Sequence, residues 1–383
     1  MLIQLFWVGL LLLLSRIVSE YTGRAKIPPV IGVLLLGIII GPSGLRFLED
    51  NAIFEFLSHI GILLLMFIAG METDTKQMLK TGKTAMLVAG FGVLVPFVSG
   101  ILLSWVIHAG VGRMLFLATI LTATSVSVTV ITLLDLNKLR TVPGYTILGA
   151  AVLDDILALI IITFIVSFTG KGGSPVFAFL KILLYFTGAL LFGKYVIPYA
   201  LRYFARLKVR EPVLAASIGF MLLYAFFAEK LGIAGVTGSY LAGILMGATI
   251  EGRNIKRGVD TIGYGFFIPF FFVQLGLMAA FHKLGSDVLF ALVFVAIGLV
   301  SKFLGSGYGA YVGLKRVKES LSIGVGMMPR GEVALVVAAL GIKEGVLTEA
   351  DMTATIMLVI LSALITPFIL RVVMGGKDEK NKG

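Results

Sequence analysis

The sequence predicts an all-α membrane protein with thirteen transmembrane helices, built from two related halves that enter the membrane from opposite sides. The composition gives the first reason, because 58% of the 383 residues are hydrophobic and 14% are charged, with a mean hydropathy of +1.03. In soluble domains about a quarter of the residues are charged, so a soluble globular protein is excluded. The other two reasons are a series of long apolar segments and an internal repeat.

The apolar segments recur along the whole chain in windows of roughly 17 to 25 residues, long enough for a helix to cross about 30 Å of hydrocarbon. The first one lacks the basic start and the cleavage site of a signal peptide, so it is counted as the first helix. The thirteen predicted segments span residues 2–18, 27–41, 53–70, 84–107, 114–134, 145–168, 176–202, 212–228, 233–250, 262–281, 287–312, 321–341 and 353–374.

Basic residues are distributed unevenly over the loops between these segments. Loops that follow odd-numbered segments hold seventeen Lys and Arg residues, counting Arg202 at the end of segment 7, whereas loops that follow even-numbered segments hold six. Because short loops rich in Lys and Arg stay in the cytoplasm, the N-terminus is predicted outside and the C-terminus inside. The same distribution accounts for the net charge of +11, so we expect no nucleic-acid partner.

An offset of 206 residues aligns the first half of the chain on the second. Residues 27–41 match residues 233–247 at seven of fifteen positions, three of them glycines, and the same offset places TATSV (122–126) on MPRGE (328–332). Seven crossings separate the matching segments, so the second copy has to enter the membrane from the other side. Inverted repeats of this kind are typical of secondary transporters. Shared glycine-rich helix packing is the alternative explanation.

Polar residues concentrate within two matching segments of the repeat. Segment 5 carries six Ser and Thr residues between positions 122 and 132, among them Thr124 and Ser125, and segment 12 carries Pro329, Arg330 and Glu332. Because proline removes a backbone donor and glycine permits unusual dihedral angles, segment 12 is predicted to be an interrupted helix. Interrupted helices at matching positions point to a transport site. The alternatives are hydroxyls bonded to helix carbonyls in segment 5 and an interfacial loop in segment 12.

Asp154 and Asp155 stand side by side in segment 6, and Lys302 lies at comparable depth in segment 11. Three unpaired charges at helix centres would cost on the order of 8 to 10 kcal/mol, so pairing or protonation is required. Adjacent helical residues point about 100° apart, and one carboxylate can therefore face Lys302 while the other faces the interrupted helices. Periodicity allows either assignment. A purely stabilising Asp–Lys pair is the alternative, although it explains only one of the aspartates.

These residues resemble a known family. TATSVSVT (122–129), LDDILAL (153–159), the helix with Lys302 and PRGE (329–332), within thirteen segments and an inverted repeat, are similar to the monovalent cation/proton antiporters of the CPA2 group. The chain resembles in particular the bacterial Na⁺/H⁺ antiporters of the NapA/GerN type. The resemblance covers essentially the whole chain, and the paired aspartates are its most specific part.

The resemblance implies the NhaA-like fold, in which two discontinuous helices cross. Residues 1–81 and 212–283 would form a dimerisation domain, called the panel. Residues 82–168 and 284–375 would form the mobile core, residues 169–211 a linker helix, and residues 376–383 a disordered tail.

The resemblance also implies a role for each polar residue singled out above. Asp155 would bind the transported Na⁺ or a proton, and Asp154 would pair with Lys302. Thr124 and Ser125 would line the helix crossing. Arg330 and Glu332 would neutralise the helix ends at the crossing.

The implied function is secondary transport, in which cytoplasmic Na⁺ or Li⁺ leaves and external H⁺ enters. The family further implies electrogenic exchange by an elevator-like movement of the core, a homodimer in a bacterial or archaeal cell membrane, and a part in pH homeostasis. No cofactor and no enzymatic activity are expected, since alternating access needs only one site with comparable affinity for both ions.

Two other functions remain as alternatives. One is K⁺/H⁺ exchange or a Kef-like K⁺ efflux protein; against the latter stand the aspartate pair and a short tail, GGKDEKNKG, that is not expected to hold a nucleotide-binding domain. The other is an intramembrane aspartyl protease, which also needs two membrane carboxylates. That enzyme carries them on different helices around a G-x-G-D turn, and this motif does not occur in the sequence.

Overall fold

The structure, a computed structural model, describes residues 2–25, 29–48, 52–168, 175–278 and 288–375, and each of these ranges is predominantly helical. No strand occurs among these residues. The predicted disordered tail, 376–383, and residues 169–174 of the predicted linker lie outside them. The all-α class predicted from the composition is confirmed.

Seventeen α-helices and one π-helical turn make up the described residues. They are α1 Leu2–Arg24, α2 Pro29–Ile40, α3 Ala52–Glu72, α4 Thr75–Val106, α5 Val111–Thr122, α6 Ser127–Asp135, α7 Val142–Phe168, α8 Pro175–Tyr195, α9 Ile197–Ala205, α10 Pro212–Lys230, α11 Gly235–Gly247, α12 Gly252–Ile262, the π-turn Gly263–Phe267, α13 Ile268–Leu277, α14 Val288–Leu314, α15 Val317–Gly326, α16 Glu332–Lys343 and α17 Glu349–Gly375.

Eight of the described helical stretches are long and apolar enough to cross a membrane. A ninth is added if α8 and α9, which meet at a bend of 41°, count as one span. Shorter apolar helices include Pro29–Ile40 and Gly235–Gly247, which coincide with predicted segments 2 and 9. Each of the thirteen predicted segments overlaps at least one helix, and the count of thirteen crossings with the N-terminus outside stays a prediction.

Two helices begin well before the corresponding predicted segments. α4 starts at Thr75 because the Asp74 carboxylate caps it, accepting hydrogen bonds from the backbone N–H groups of Lys76 and Gln77 at 2.9 and 3.3 Å. Segment 10 is preceded by α12, where a basic loop was expected. Ile255 and Val259 are buried on one face of α12, so this stretch is an amphipathic helix that continues through the π-turn into α13.

The glycines that reveal the repeat lie at the closest helix contacts. A Cβ on Gly37 of α2 would come within 3.0 Å of Gly276 Cα in α13, and a Cβ on Gly243 of α11 would come within 3.0 Å of Gly70 Cα in α3. The offset of 206 converts one pair into the other, since it maps Gly37 on Gly243 and Gly70 on Gly276. The repeat is therefore visible in the packing as well as in the sequence.

The helices pack in two groups. One group contains α2, α3, α10, α11 and α13, in which α11 packs on α3 and α10, and α13 packs on α2 and α3. The other contains α4, α5, α7, α14, α15, α16 and α17, in which α4 packs on α5, α7 and α14. The predicted site residues are all in or next to the second group, and its α7 faces the first group where Asp155 lies.

Candidate functional site

Both polar segments of the repeat are interrupted, and at matching positions. α5 ends at Thr122 and α6 begins at Ser127, while α15 ends at Gly326 and α16 begins at Glu332. The unwound stretches touch, because the Ser125 backbone N–H donates to the Pro329 carbonyl at 2.8 Å. A second bond runs from Thr129 Oγ1 to the Gly326 carbonyl at 2.6 Å. These bonds satisfy backbone groups that an interrupted helix exposes inside the protein.

Gly331 allows the two unwound stretches to come this close. A Cβ at this position would lie 2.6 Å from both Cβ and Oγ of Ser125, which is far inside van der Waals contact. Ser125 itself is 3% exposed, so it has little room to move away. The glycine in PRGE therefore serves the crossing directly, next to the proline that ends the preceding helical pattern.

Arg330 joins the crossing to neighbouring helices. Its guanidinium is buried and donates to three backbone carbonyls, those of Met328 at 2.5 Å, Leu121 at 2.9 Å and Gly298 at 2.8 Å. The Leu121 carbonyl belongs to the last turn of α5, where helix carbonyls lack helical partners and carry partial negative charge. The arginine thus compensates the end of the broken helix, and its own backbone N–H is held by Ser362 Oγ at 2.9 Å.

Asp154 is paired with Lys302 inside the protein. Lys302 Nζ donates to Asp154 Oδ2 at 2.6 Å and to the Thr122 carbonyl at 2.8 Å, and the Thr124 hydroxyl also donates to Asp154 Oδ2. The lysine side chain is 0% exposed and the aspartate side chain 2%. Two charges so deeply buried are tolerated because each has an opposite charge and a hydrogen-bond partner.

Asp155 points to a different environment. Its side chain is half-buried, accepts a hydrogen bond from Thr237 Oγ1 of α11 at 2.5 Å, and lines a cavity of about 600 Å³. The separation follows from helix geometry, because neighbouring residues diverge by about 100° around the axis. A carboxylate that reaches an open cavity can accept either a proton or a monovalent cation from water.

The cavity lies between the two helix groups. Its walls come from α3, α10, α11 and α13 on one side and from α7 and α16 on the other. Most of the lining is apolar. Besides Asp155, its polar side chains are Glu55, Ser58, His59, Glu229 and Gln274. His59 Nε2 and Glu229 Oε1 approach to 3.3 Å at half-exposed positions, so the mouth of the cavity carries its own titratable groups.

The structure brings most of the sequence-predicted residues together around the crossing. Asp154, Thr124 and Lys302 form one hydrogen-bonded cluster, while Ser125 and Arg330 are held by backbone contacts in the unwound stretches. Glu332 begins α16, and its side chain lies outside the part of the chain that the structure describes. Asp155 is separated from this cluster and faces the first helix group instead.

Sequence reasoning missed Thr237 as a contact of Asp155. The repeat contained a signal for it, because the offset of 206 aligns Thr237 with Ile31, a polar residue against an apolar one in an otherwise similar stretch. Sequence reasoning also missed the ion pair between the partly exposed Arg113 and the buried Asp351. Arg113 Nη2 donates to Asp351 Oδ1 at 2.8 Å, which joins the first turn of α5 to the first turn of α17.

Comparisons with known proteins give a consistent result. Residues 9–375 match the model of the family described as sodium/hydrogen exchanger, transmembrane. The Na⁺/H⁺-K⁺ antiporter GerN of Bacillus cereus is 37% identical over 378 residues, 98% of each chain. A Na⁺/H⁺ antiporter of Enterococcus hirae is 34% identical over 366 residues, 94% of this chain and 96% of the other. The resemblance identified in the sequence is confirmed.

A solved structure supports the fold. The sodium proton antiporter MjNhaP1 from Methanocaldococcus jannaschii superimposes with a TM-score of 0.70 over 98% of this chain and 97% of the other, at 20% identity. With its apolar helices and bacterial relatives, the chain is a multi-pass protein of a cell membrane, as the sequence predicted. On the family match and these identities, the chain belongs to the transmembrane sodium/hydrogen exchanger family.

Proposed function

We propose that this protein is a secondary transporter that exchanges cytoplasmic Na⁺, or Li⁺, for external H⁺, with Asp155 as the shared binding group. The observation that carries the proposal is the division of the aspartate pair. Asp154 is neutralised by Lys302 in the interior, whereas Asp155 reaches a cavity between two helix groups. One carboxylate is thereby left to bind the transported ions, and no cofactor or covalent chemistry is required.

Competition for one carboxylate is sufficient for exchange. A proton and a Na⁺ ion cannot both neutralise Asp155, so the protein carries one or the other through the membrane. Thr124 and Ser125 supply oxygens close to the crossing, and Arg330 and Glu332 balance the helix ends there. If the Asp154–Lys302 pair also gains and loses a proton in each cycle, more protons enter than cations leave and the exchange is electrogenic.

The proposed moving part is the second helix group. In this proposal residues 82–168 and 284–375 form the core, residues 1–81 and 212–283 form the panel, and residues 169–211 link them. The helix contacts support this division, since α4 and α14 pack tightly together in the core and α3 and α11 in the panel. An elevator-like shift of the core then carries Asp155 from one side of the panel to the other.

The cavity at Asp155 is proposed to open to the outside. Its lining includes the first turns of α3 and the last residues of α10 and α13, which adjoin the loops that carry few basic residues. A second cavity, of about 410 Å³, lies at the opposite end of α3. Its charged lining residues are Glu72, Asp135, Arg140, Lys256 and Asp260. We assign this second cavity to the cytoplasmic side.

K⁺/H⁺ exchange is the second candidate function, because one relative, GerN, is named as a Na⁺/H⁺-K⁺ antiporter. The same carboxylate would serve for K⁺.

We also propose a homodimer formed through the panel. Exposed apolar side chains along α1, such as Leu5, Leu13 and Ile17, offer a face for a second copy of the chain.

The proposal is tested with inverted membrane vesicles energised by respiration, in which a dye reports the pH gradient. Adding NaCl should dissipate the gradient in vesicles with the wild-type protein, and KCl and LiCl added in parallel give the selectivity. Asp155→Asn should abolish the response at an equal amount of protein in the membrane. The matched control is Ser239→Ala, which removes a hydroxyl that is hydrogen-bonded within the panel. Full activity of Asp155→Asn would refute the proposal.

A further inference from the structure

Thr237 connects the proposed ion-binding carboxylate to the opposite helix group. The residue is 4% exposed and lies in the first turn of α11, which packs on α3 and α10 of the panel. Its Oγ1 donates to Asp155 Oδ2 at 2.5 Å. Asp155 belongs to α7, which packs on α4 of the core. The hydrogen bond therefore crosses the boundary between two groups of helices that are proposed to move relative to each other.

The bond has properties that make it a strong contact. A hydroxyl that donates to an ionised carboxylate forms a shorter and stronger hydrogen bond than one between neutral groups. The cavity walls around the bond are mostly apolar, and such a bond is less screened there than in water. The first turn of α11 also presents the positive end of a helix dipole to the carboxylate. Both effects favour the arrangement in which Asp155 lies against Thr237.

We propose that Thr237 is a positioning residue that holds Asp155 at the cavity and stabilises the cavity-open arrangement of the transporter. The core cannot shift along the panel until this bond is broken, so each transport cycle includes its release and its formation. The inference rests on the proposed role of Asp155 as the ion-binding group. It adds a panel residue, whereas the residues implied by the family resemblance all lie in the core.

The test compares Thr237→Val, which keeps the side-chain shape and removes the hydroxyl, with Thr237→Ser, which keeps the hydroxyl. Loss of one bond to a charged group should shift the equilibrium between the two arrangements roughly tenfold toward the closed cavity. Thr237→Ser should behave like the wild type. If Thr237→Val does not accumulate in the membrane, Thr237→Ala removes the same hydroxyl.

The first readout reports the arrangement directly. The chain contains no cysteine, so Leu335→Cys on the core wall of the cavity is a single labelling site that needs no background removal. A membrane-impermeant maleimide should modify this cysteine about twofold more slowly, or slower still, when Thr237→Val is added. The reporter variant has to retain transport before the comparison is made.

The second readout is the KM for Na⁺. The KM for Na⁺ supplied on the side away from the cavity should fall about twofold or more in Thr237→Val, because the state that binds it becomes more populated. Ser239→Ala is the matched control, since Ser239 lies on the same helix and donates to Leu63 O at 2.6 Å within the panel. It should change neither readout.

The outcomes separate this inference from the function itself. Wild-type labelling and wild-type KM in Thr237→Val, with Asp155→Asn inactive, would overturn the role of Thr237 and leave the exchange mechanism intact. Thr237→Ser behaving like Thr237→Val would assign the effect to side-chain shape and also overturn the inference. Activity in Asp155→Asn would overturn the proposed function, whatever Thr237→Val does.

Discussion

Asp154 and Asp155 are adjacent in the chain and have opposite surroundings. Asp154 is 2% exposed and shares one carboxylate oxygen between Lys302 Nζ and the Thr124 hydroxyl. Asp155 is half-buried and lines the cavity between the two helix groups. One aspartate therefore neutralises a buried lysine, and its neighbour lines the cavity between the helix groups. Exchanging the two roles would leave Lys302 without its carboxylate.

The first prediction concerns Asp154→Asn, which removes the negative partner of a buried lysine. Breaking a buried ion pair on one side costs about 3 to 5 kcal/mol in proteins, because the remaining charge is uncompensated. Thermal unfolding of the detergent-solubilised protein should show a clearly lower midpoint for Asp154→Asn. Asp155→Asn should lie near the wild type, since Lys302 keeps its partner. Equal midpoints for wild type and Asp154→Asn would contradict this assignment.

A double variant sharpens the comparison. Asp154→Asn combined with Lys302→Gln removes both charges at once and leaves no unpaired ion inside the protein. Its unfolding midpoint should therefore recover part of the loss seen with Asp154→Asn alone. A double variant that loses the sum of both single effects would show that the two residues stabilise the fold independently.

The sequence could predict that the two aspartates divide their tasks, but not which one pairs with Lys302. The energetic argument required a partner, and the period of the helix required divergent directions. The choice depends on how α7 is rotated about its axis, which is set by its packing against α4 and α15. Those contacts are distant in the chain, so no local pattern encodes them.

At the scale of helices, close backbone contacts at glycines hold the first helix group together. A Cβ on Gly37 would lie 2.2 Å from Val273 O, and a Cβ on Gly243 would lie 2.2 Å from Phe67 O. Neither contact can be relieved by rotating a side chain, because the obstructing atoms belong to the backbone. Small residues let membrane helices approach in this way and gain packing contacts.

The second prediction follows from these contacts. Gly37→Ala and Gly243→Ala should each destabilise the protein by about 1 to 3 kcal/mol, the usual cost of overpacking. Gly90→Ala on α4 is the control, because nothing lies within 4 Å of a Cβ there. It should be neutral or gain up to about 1 kcal/mol from helix propensity. Unfolding midpoints in detergent measure all three, and a stable Gly37→Ala would contradict the packing described.

The interrupted helices were predictable to different degrees. In segment 12, Pro329 and Gly331 predict the break in the helix, whereas TATSV in segment 5 contains neither proline nor glycine. The break in segment 5 was implied only by the family resemblance. The basic residues of α12 predict a loop, and this prediction is wrong, because Ile255 and Val259, four positions apart, are buried on one face of a helix. The basic residues were the stronger signal in the sequence and predicted a loop. The burial of one apolar face favoured a helix in the structure.

At the scale of the whole molecule, the site lies where the two helix groups meet. The cavity at Asp155 lies on this boundary, and the second cavity, at the other end of α3, lies between α3, α12 and the π-turn on one side and α6 with the loop after it on the other. A relative shift of the groups would close one cavity and extend the other. In the proposed mechanism, alternating access is one movement around a carboxylate whose own helix belongs to the core.

The third prediction is that transport responds to membrane potential. If the Asp154–Lys302 pair contributes a second proton, each cycle moves net positive charge inward. In proteoliposomes, a K⁺ diffusion potential negative on the side that protons enter should accelerate Na⁺/H⁺ exchange. A Na⁺/H⁺ exchange rate indifferent to voltage would remove electrogenicity from the proposal and leave one proton exchanged for each cation.

The most direct test of the central claim, that Na⁺ and H⁺ compete for Asp155, is proton release by the purified protein in weakly buffered detergent solution. Adding NaCl to the wild type should release protons, measured with a pH-sensitive dye, and choline chloride should not. Asp155→Asn should release none, whereas Ser239→Ala should match the wild type. Undiminished proton release from folded Asp155→Asn would contradict the account.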